Sequence, residues 1–460
     1  MKRPLDLLPL KWRPVVVVAG GILIHLSLGI GFSIGNMTPY IISYLRQKDE
    51  TLDYGKAAWM PAFSSLGFGL VSLLSTILER HFGAKLTSFV GSLIASGSIA
   101  MTYFSVRSIF WTVGVTYSFG FGIGSGMAYF PPVICATKWL PQWKGLVVGL
   151  IVAGYASGAI LFNEIETNYI NPGNLSPDTI IDDYNYFSQP EVLNIVPQSF
   201  LVLAGCCLLL QIIGCVLLCD PSSEDRQFAE QKLRLCQKQV QGRMLRPKEI
   251  IRTPTFYVIA VTYACAAFCG TISTSIWKTY GSKFDFEDNF LAATGAVSSV
   301  FNASGRIFWG YFGDKFSYQS VMTTAMAFLS VFLSTVLLTT FAGQFYYMAS
   351  ICGIFFCYSS SPVLIPLAVS KCFGEFYFGI NYGCIFAFQT LAALVSAAAT
   401  QLLMGYLKYE GMFLLASCVA VLAACCAALI HFTNRLCRLI RFKEKICSIK
   451  EDPYSLPLLL

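Results

Sequence analysis

The chain has 460 residues, of which 55% are hydrophobic, 15% aromatic and only 12% charged, with a formal net charge of +7 and a mean hydropathy of +0.61. A soluble chain of this length would split into about three domains and carry about 25% charged residues. The low charge content therefore excludes a set of water-facing globular surfaces, and the 37 Phe and 23 Tyr exclude a disordered chain.

A polytopic membrane protein remains. A β-barrel is disfavoured, because the apolar runs are continuous and do not alternate. A helical span needs roughly 20 apolar residues. Twelve such stretches follow in order, near 15–45, 57–78, 86–106, 109–135, 145–163, 196–219, 255–277, 290–313, 318–341, 345–370, 379–406 and 411–431. The first is too long for a cleaved signal peptide and reads as an uncleaved helix. A hydrophilic stretch rich in Glu, Gln, Lys and Arg separates the sixth span from the seventh. The expected organisation is all-α: a short N-terminal segment (1–14), a six-helix bundle (15–219), a central loop (220–252), a second six-helix bundle (253–431) and a tail (432–460). The central loop reads as a solvated stretch lying against the membrane, with a short amphipathic helix as the alternative.

Charge fixes an orientation. With both termini on the same side, the segments of that side hold 24 Lys and Arg, the opposite loops hold seven, and Arg306 stands alone inside a span. The positive-inside rule makes the basic side cytoplasmic, so both termini are expected there. The plasma membrane is the expected location, with an organelle membrane as the alternative. The largest opposite loop, 163–196, has no Lys or Arg and six acids (Glu164, Glu166, Asp178, Asp182, Asp183 and Glu191). It reads as a solvated loop, with a binding lid as the alternative. It also carries an Asn174-Leu-Ser sequon, disfavoured for glycosylation by Pro177 directly after it.

Most of the 17 cysteines sit in apolar runs, among them Cys206, Cys207, Cys265 and Cys269, and read as small hydrophobes, not as a disulfide framework. Cys437 and Cys447 in the basic tail are palmitoylation candidates. His25, His81 and His431 are isolated, and no CxxC or HxxxH pair is present, so no metal site is expected. No phosphate-binding GxxxxGK[ST] loop occurs. No catalytic constellation stands out; no enzyme activity, cofactor or nucleic-acid partner is expected. An accessory subunit is not predictable from the sequence.

Six and six helices around a cytoplasmic connector match the layout of the major facilitator superfamily, whose pseudo-symmetric halves hold substrate near the bilayer midplane. An internal echo supports the resemblance. Leu78-Glu-Arg-His-Phe-Gly-Ala-Lys85 lies between spans 2 and 3, and Gly310-Tyr-Phe-Gly-Asp-Lys315 between spans 8 and 9. Both resemble the superfamily's GxLaDRxGRK-type loop. The second copy keeps Gly310, Asp314 and Lys315; the first keeps Gly83 and Lys85 but has Arg80 where the Asp would stand. Such charges can cap helix ends and change partners as a gate moves, or simply hold the loops inside. In spans 4 and 5, Gly120, Gly122, Gly124 and Gly126, then Gly145, Gly149, Gly154 and Gly158, allow close helix crossing.

The resemblance sharpens at Gly124-Ser-Gly-Met-Ala-Tyr-Phe-Pro-Pro, Lys138-Trp-Leu-Pro-Gln-Trp-Lys-Gly145, the first span from His25 to Arg46, Asn302-Ala-Ser-Gly-Arg306 and Asn381-Tyr-Gly. These are similar to the oxalate/formate antiporter and monocarboxylate porter branch, over nearly all of 15–431. The resemblance implies a carrier of small organic anions, with Arg306 matching the arginine held to pair with the substrate carboxylate. The residues point the same way. An intramembrane arginine costs at least about 2.5 kcal/mol to insert and needs a partner or a cavity; no acid is evident inside any span, and a guanidinium fork suits a visiting carboxylate. Snorkelling to the headgroups is the alternative.

Asn302 stands one turn from Arg306, where some porters have a titratable Asp. Gln389 aligns with the oxalate exchanger's second cationic residue and Thr38 with the monocarboxylate porters' lysine. One cation instead of two favours a monoanion. Asn36, Thr38, Tyr129, Tyr155 and Tyr382 are further candidates for the pathway, and His25 is a candidate proton carrier. With no carboxyl inside a span, uniport or exchange is expected over strong proton symport. The alternatives are a carrier of another solute (a nucleoside, amino acid or drug) and a non-transporting sensor, though the 29 residues after His431 are short for a sensor domain.

Overall fold

A computed structural model describes residues 9, 12–52, 56, 59–173, 175, 177–181, 184–222, 245–284, 286, 288–374 and 377–451. Among the described residues, nine helices are long and apolar enough to cross a membrane. Two of these are too long for one crossing. Trp59–Ser105 has 47 residues, which at 1.5 Å per residue is about 70 Å of helix against roughly 30 Å of hydrocarbon. It is broken at Gly83, with φ 84°, a conformation that costs glycine little. Tyr318–Phe373, 56 residues, is likewise broken at Gly343, φ 78°. Asp288–Lys315 is long enough but is diluted by Asn302, Arg306 and several small polar residues. Counted at the breaks, the described residues form twelve spans, and the all-α architecture of the sequence analysis stands.

Span 1 runs through Arg13–Leu28, a 3-10 turn Gly29–Phe32 and Ile34–Arg46. Spans 2 and 3 are 59–82 and 84–105; span 4 is Phe110–Trp139; span 5 is Lys144–Ile170; span 6 is Val196–Leu217. Span 7 is Pro254–Ser282 and span 8 is Asp288–Lys315. Spans 9 and 10 are 318–342 and 344–373. Lys408, φ 53°, separates span 11, which begins at Phe378, from span 12, whose apolar part ends at Leu429 within a helix that runs on to Glu451. The alternate glycines of span 4 divide between two neighbours. A Cβ on Gly122 would fall 2.2 Å from the Ser64 carbonyl of span 2, and one on Gly124 would fall 2.2 Å from the Ala95 amide of span 3.

Two expectations about the 163–196 loop need correction. Span 5 continues about two turns beyond 163, so Glu166 is not a solvated loop acid; it is fully buried within a helix. Hydrogen bonds with Ser33 and Asn36 of span 1 replace the water it would otherwise need. The loop is also not simply solvated. Thr179–Ile181 pairs antiparallel with Tyr184–Tyr186, and the hairpin docks on the end of span 1. The Phe187 amide donates to Ser43 Oγ at 3.0 Å, the Phe187 ring stacks on Tyr40 at 5.1 Å, and the Arg46 guanidinium lies 4.4 Å over Tyr186. Asn174, Asp182 and Asp183, residues 223–244 of the central loop, and the side chains of Cys437 and Cys447 lie outside the described residues.

Candidate functional site

The two halves touch closely at the basic face. Spans 5 and 8 cross there with their backbones in contact: a Cβ on Gly310 would lie 2.2 Å from the Gly145 carbonyl, and one on Gly145 would lie 2.4 Å from that of Gly310. Only glycine fits both positions. One turn deeper, a Cβ on Gly149 would lie 2.5 Å from the Arg306 carbonyl. Asp314, at the end of span 8, accepts from the Gly145 and Leu146 amides at 2.9 and 2.8 Å. It thus caps the first turn of span 5, where free N–H groups and the helix dipole favour an anion. Trp143 stacks on Tyr311 at 6.0 Å. Spans 2 and 11 meet on the same side, where Gly379 packs against Thr76 and Gly383 against Leu73, and the Arg80 guanidinium lies 4.9 Å over Tyr377.

Of the six candidate gate residues, Gly310 and Asp314 join the halves directly, Gly83 makes the turn between spans 2 and 3, and Arg80 reaches across to Tyr377. Lys85 and Lys315 are exposed, the latter 5.6 Å over Tyr311. The carboxylate missing from the first loop copy is supplied one position earlier. Glu79, 5% exposed, accepts from Lys138 of span 4 at 2.7 Å, and Lys138 also pairs with Asp220 at 3.0 Å. In the second half Lys371, at the end of span 10, donates to the Gly313 carbonyl at 3.0 Å. Each half thus ties its second and fourth helices together with a lysine, a symmetry the motif alignment alone did not reach.

On the other side of these contacts lies a cavity of ≈ 170 Å³. Its lining comes from spans 1, 2, 4, 5, 7, 8, 10 and 11. It extends from Arg306 to Ser64, which is about a turn and a half from the far end of span 2. The protein is therefore shut at the basic face, with its cavity lying toward the acidic one. Seven rings wall the cavity: Phe32, Phe68, Tyr129, Tyr155, Tyr263, Tyr358 and Phe386.

Arg306 is 3% exposed, so it has not snorkelled to the headgroups. Its Nε donates to Asn302 Oδ1 at 3.0 Å and its Nη1 to the Val152 carbonyl of span 5 at 2.7 Å. Among the described residues it makes no ion pair, and Nη2 makes no hydrogen bond. The arrangement is a buried cation whose position is fixed by neutral acceptors and whose charge is uncompensated, at the end of an aromatic-walled space. Such a group attracts an anion strongly, because low polarity magnifies the interaction.

Of the candidate substrate residues, Arg306, Tyr129, Tyr155 and Gln389 line this cavity together, and Asn302 holds the guanidinium from behind. Tyr382 lies behind the wall, against Phe130 and Phe378. Thr38 turns back to its own helix, donating to the Ile34 carbonyl at 2.8 Å. Asn36 donates to Glu166 Oε2 at 3.0 Å. His25 is fully buried beside Tyr129, with Nδ1 3.1 Å from the Gly21 carbonyl. Sequence reasoning missed Tyr263, Tyr358 and the serines of span 2. A usable signal was there: tyrosines of the membrane interface sit at span ends, whereas Tyr263 and Tyr358 sit well inside theirs. The premise that no carboxyl lies inside a span also falls, since Glu166 does.

The model of the Major Facilitator Superfamily matches residues 193–380 and 259–437 of the chain, together just over half of it. The chain is 26% identical to apicoplast pyruvate carrier 1 of Toxoplasma gondii, over 90% of this chain and 88% of that one. It is 22% identical to the oxalate:formate antiporter of Oxalobacter formigenes, over 59% of this chain and 58% of that one. Among solved structures it resembles the proton:xylose symporter XylE bound to 6-bromo-6-deoxy-D-glucose. The TM-score is 0.65 and the identity 14%, covering 90% of this chain and 94% of that one, a likeness of fold alone.

Proposed function

Because this chain belongs to the major facilitator superfamily, we propose that its cavity carries a small organic anion, a monocarboxylate, across the membrane by alternating access, as a uniporter or exchanger. The observation that carries this reading is Arg306, a buried guanidinium without an ion-pair partner among the described residues. A carboxylate arriving between the tyrosines supplies the missing charge, and Gln389 and the phenols offer neutral hydrogen bonds to the remainder of the molecule. A single cation favours a monoanion over a dianion. Relatives named as a pyruvate carrier and an oxalate:formate antiporter support the same class. No carboxyl stands among the described residues that line the cavity, which supports uniport or exchange at the substrate site itself.

The transport cycle follows from the contacts. The closed basic face opens only if Gly145 and Gly310 separate and Asp314 releases the first turn of span 5, which exposes Arg306 to the other side. We infer from the excess of Lys and Arg that the basic face is cytoplasmic, with both termini there. The membrane is taken to be the plasma membrane; an organelle membrane, as in the name of the apicoplast relative, is the alternative, and fractionation of tagged protein decides between them.

Uptake in reconstituted vesicles tests the reading. Labelled pyruvate or lactate should enter saturably and compete with other monoanions. Arg306→Ala should lower uptake at least about tenfold, the equivalent of ~1.4 kcal/mol, in protein that inserts normally, and Arg306→Lys should restore only part of it, since one forked donor set is lost. Saturable uptake of a neutral solute that survives Arg306→Ala would instead mean another substrate class, with the arginine structural.

A further inference from the structure

The cavity does not use the buried carboxyl of Glu166, and that carboxyl has an unusual set of neighbours. Glu166 Oε1 lies 2.5 Å from Ser33 Oγ, and the same Ser33 Oγ lies 2.8 Å from the Ile30 carbonyl oxygen. Two oxygen–oxygen contacts this short are each best satisfied by a hydrogen of their own, because facing lone pairs repel and a single hydroxyl hydrogen shared between both acceptors leaves two bent, weaker bonds. A serine hydroxyl carries one hydrogen, and a carbonyl and a carboxylate carry none. The second hydrogen has one source among these atoms, a protonated Glu166. Each short contact then holds its own hydrogen: Glu166 Oε1–H donates to Ser33 Oγ, Ser33 O–H donates to Ile30 O, and Asn36 Nδ2 donates to Oε2 at 3.0 Å and lies 3.3 Å from Thr167 Oγ1.

The surroundings agree. The titratable groups facing Glu166 are Tyr40 of span 1, Tyr117 of span 4 and Cys207 of span 6. Among the described residues no Lys, Arg or His faces it, so no positive charge offsets a carboxylate in this fully buried position, and only the hydrogen bonds of Ser33 and Asn36 would support one. Asn36 is half-buried, which leaves the site one side chain from water on the acidic side.

We propose that Glu166 is a proton-binding site, occupied in the arrangement shut at the basic face, and that gain and loss of this proton set the pH dependence of transport through span 1. Ser33 ends the 3-10 turn Gly29–Phe32, and Phe32 lines the cavity, edge-on to Tyr155 at 4.9 Å. Loss of the proton obliges the Ser33 hydroxyl to turn to the carboxylate and leave the Ile30 carbonyl. That removes a hydrogen bond from the turn that places Phe32. By linkage, acid favours the arrangement in which the site is protonated. The proton is bound apart from the anion, roughly 16 Å along span 5 from Tyr155, so it acts on the carrier and not on the substrate.

The test uses full-length protein in vesicles: wild type, Glu166→Gln and Ser33→Ala. Gln keeps the protonated pattern, an N–H toward Ser33 and a carbonyl toward Asn36. In infrared difference spectra the wild type should show a protonated-carboxyl band at neutral pH that Glu166→Gln lacks. Ser33→Ala should shift that band to higher frequency through loss of the hydrogen bond, and it serves alone if the Gln variant does not fold. Spectra without such a band at neutral pH, or with one that neither variant alters, overturn the proposal. With pyruvate as the probe, uptake by the wild type should fall as the bath turns alkaline, by up to about tenfold per pH unit for a one-proton site. Glu166→Gln should transport with a flat profile; a variant that keeps the wild-type profile overturns the proposed control of transport. The uptake arm rests on the carrier reading above, whereas the infrared arm does not. Absence of any anion uptake therefore defeats the carrier reading and leaves the proton site to be decided by the spectra.

Discussion

The guanidinium of Arg306 donates to the carbonyl of Val152 at 2.7 Å, and this bond joins span 8 of one half to span 5 of the other. The group that faces the cavity therefore also ties the two halves together at their crossing, and in the proposed cycle that contact breaks. Neutral Asn302, holding Nε at 3.0 Å, leaves the positive charge uncompensated. Asn302→Asp puts a carboxylate at that distance, and the arginine acquires a counter-charge whenever that carboxyl is ionised. Anion uptake should fall by about tenfold or more, ~1.4 kcal/mol, mostly through a higher KM, with the protein inserted and thermally at least as stable. Concentration-dependent uptake beside a melting curve measures both.

Gly145 and Gly310 make a second prediction, about movement. A methyl group on Gly310 would sit 2.2 Å from the Gly145 carbonyl oxygen, so the crossing must spread. Overpacking of this kind costs about 1–3 kcal/mol, and here the cost falls on the state closed at the basic face. Gly310→Ala should thus slow turnover more than it weakens binding. Labelled-anion binding to detergent-solubilised protein, compared with vesicle uptake, separates the two quantities.

At the same face, Lys138 joins spans 2, 4 and 6 through Glu79 and Asp220. Glu79 is buried while Lys138 is 37% exposed, so the pair is partly screened. A cycle of Glu79→Gln, Lys138→Gln and the double variant should give a coupling of about 1–2 kcal/mol, within the range for residues in one network. Additive melting temperatures would mean that the ion pair contributes little.

The docked hairpin gives a pH dependence outside the membrane. Asp178 accepts both the amide and the hydroxyl of Ser188, at 2.8 and 2.6 Å, and these bonds hold its carboxyl below the ordinary range. The sign follows: the support is complete above the unfolded pKa of the carboxyl and is lost as pH falls through the lowered one. Asp178→Asn should loosen 178–188 at neutral pH. Hydrogen exchange of that segment should show faster exchange in the variant, and the difference should vanish in strong acid.

Much of this protein was legible without coordinates. Twelve apolar runs, the division at the central hydrophilic stretch and the isolation of Arg306 in span 8 follow from chain chemistry, because a bilayer imposes length and polarity on every segment that crosses it. The cavity was half legible: Tyr129, Tyr155 and Gln389 were candidates, while Tyr263 and Tyr358 were not singled out. Glu79 escaped because the motif alignment sought an acid one position later. Glu166 escaped because a run of polar residues past 163 reads as loop until Ser33 and Asn36 are seen to face it.

The sequence by itself determined that the chain is a bundle of membrane helices, how many there are, and that one arginine has to find company inside. These are properties of single segments set against a solvent that tolerates few exposed polar groups. Which face is shut, which tyrosines surround the guanidinium and that a carboxyl is buried beside Ser33 were decided only by the tertiary structure. Each depends on residues more than a hundred positions apart, such as Ser33 with Glu166 and Arg306 with Val152. The energy of those contacts exists only once the helices have packed.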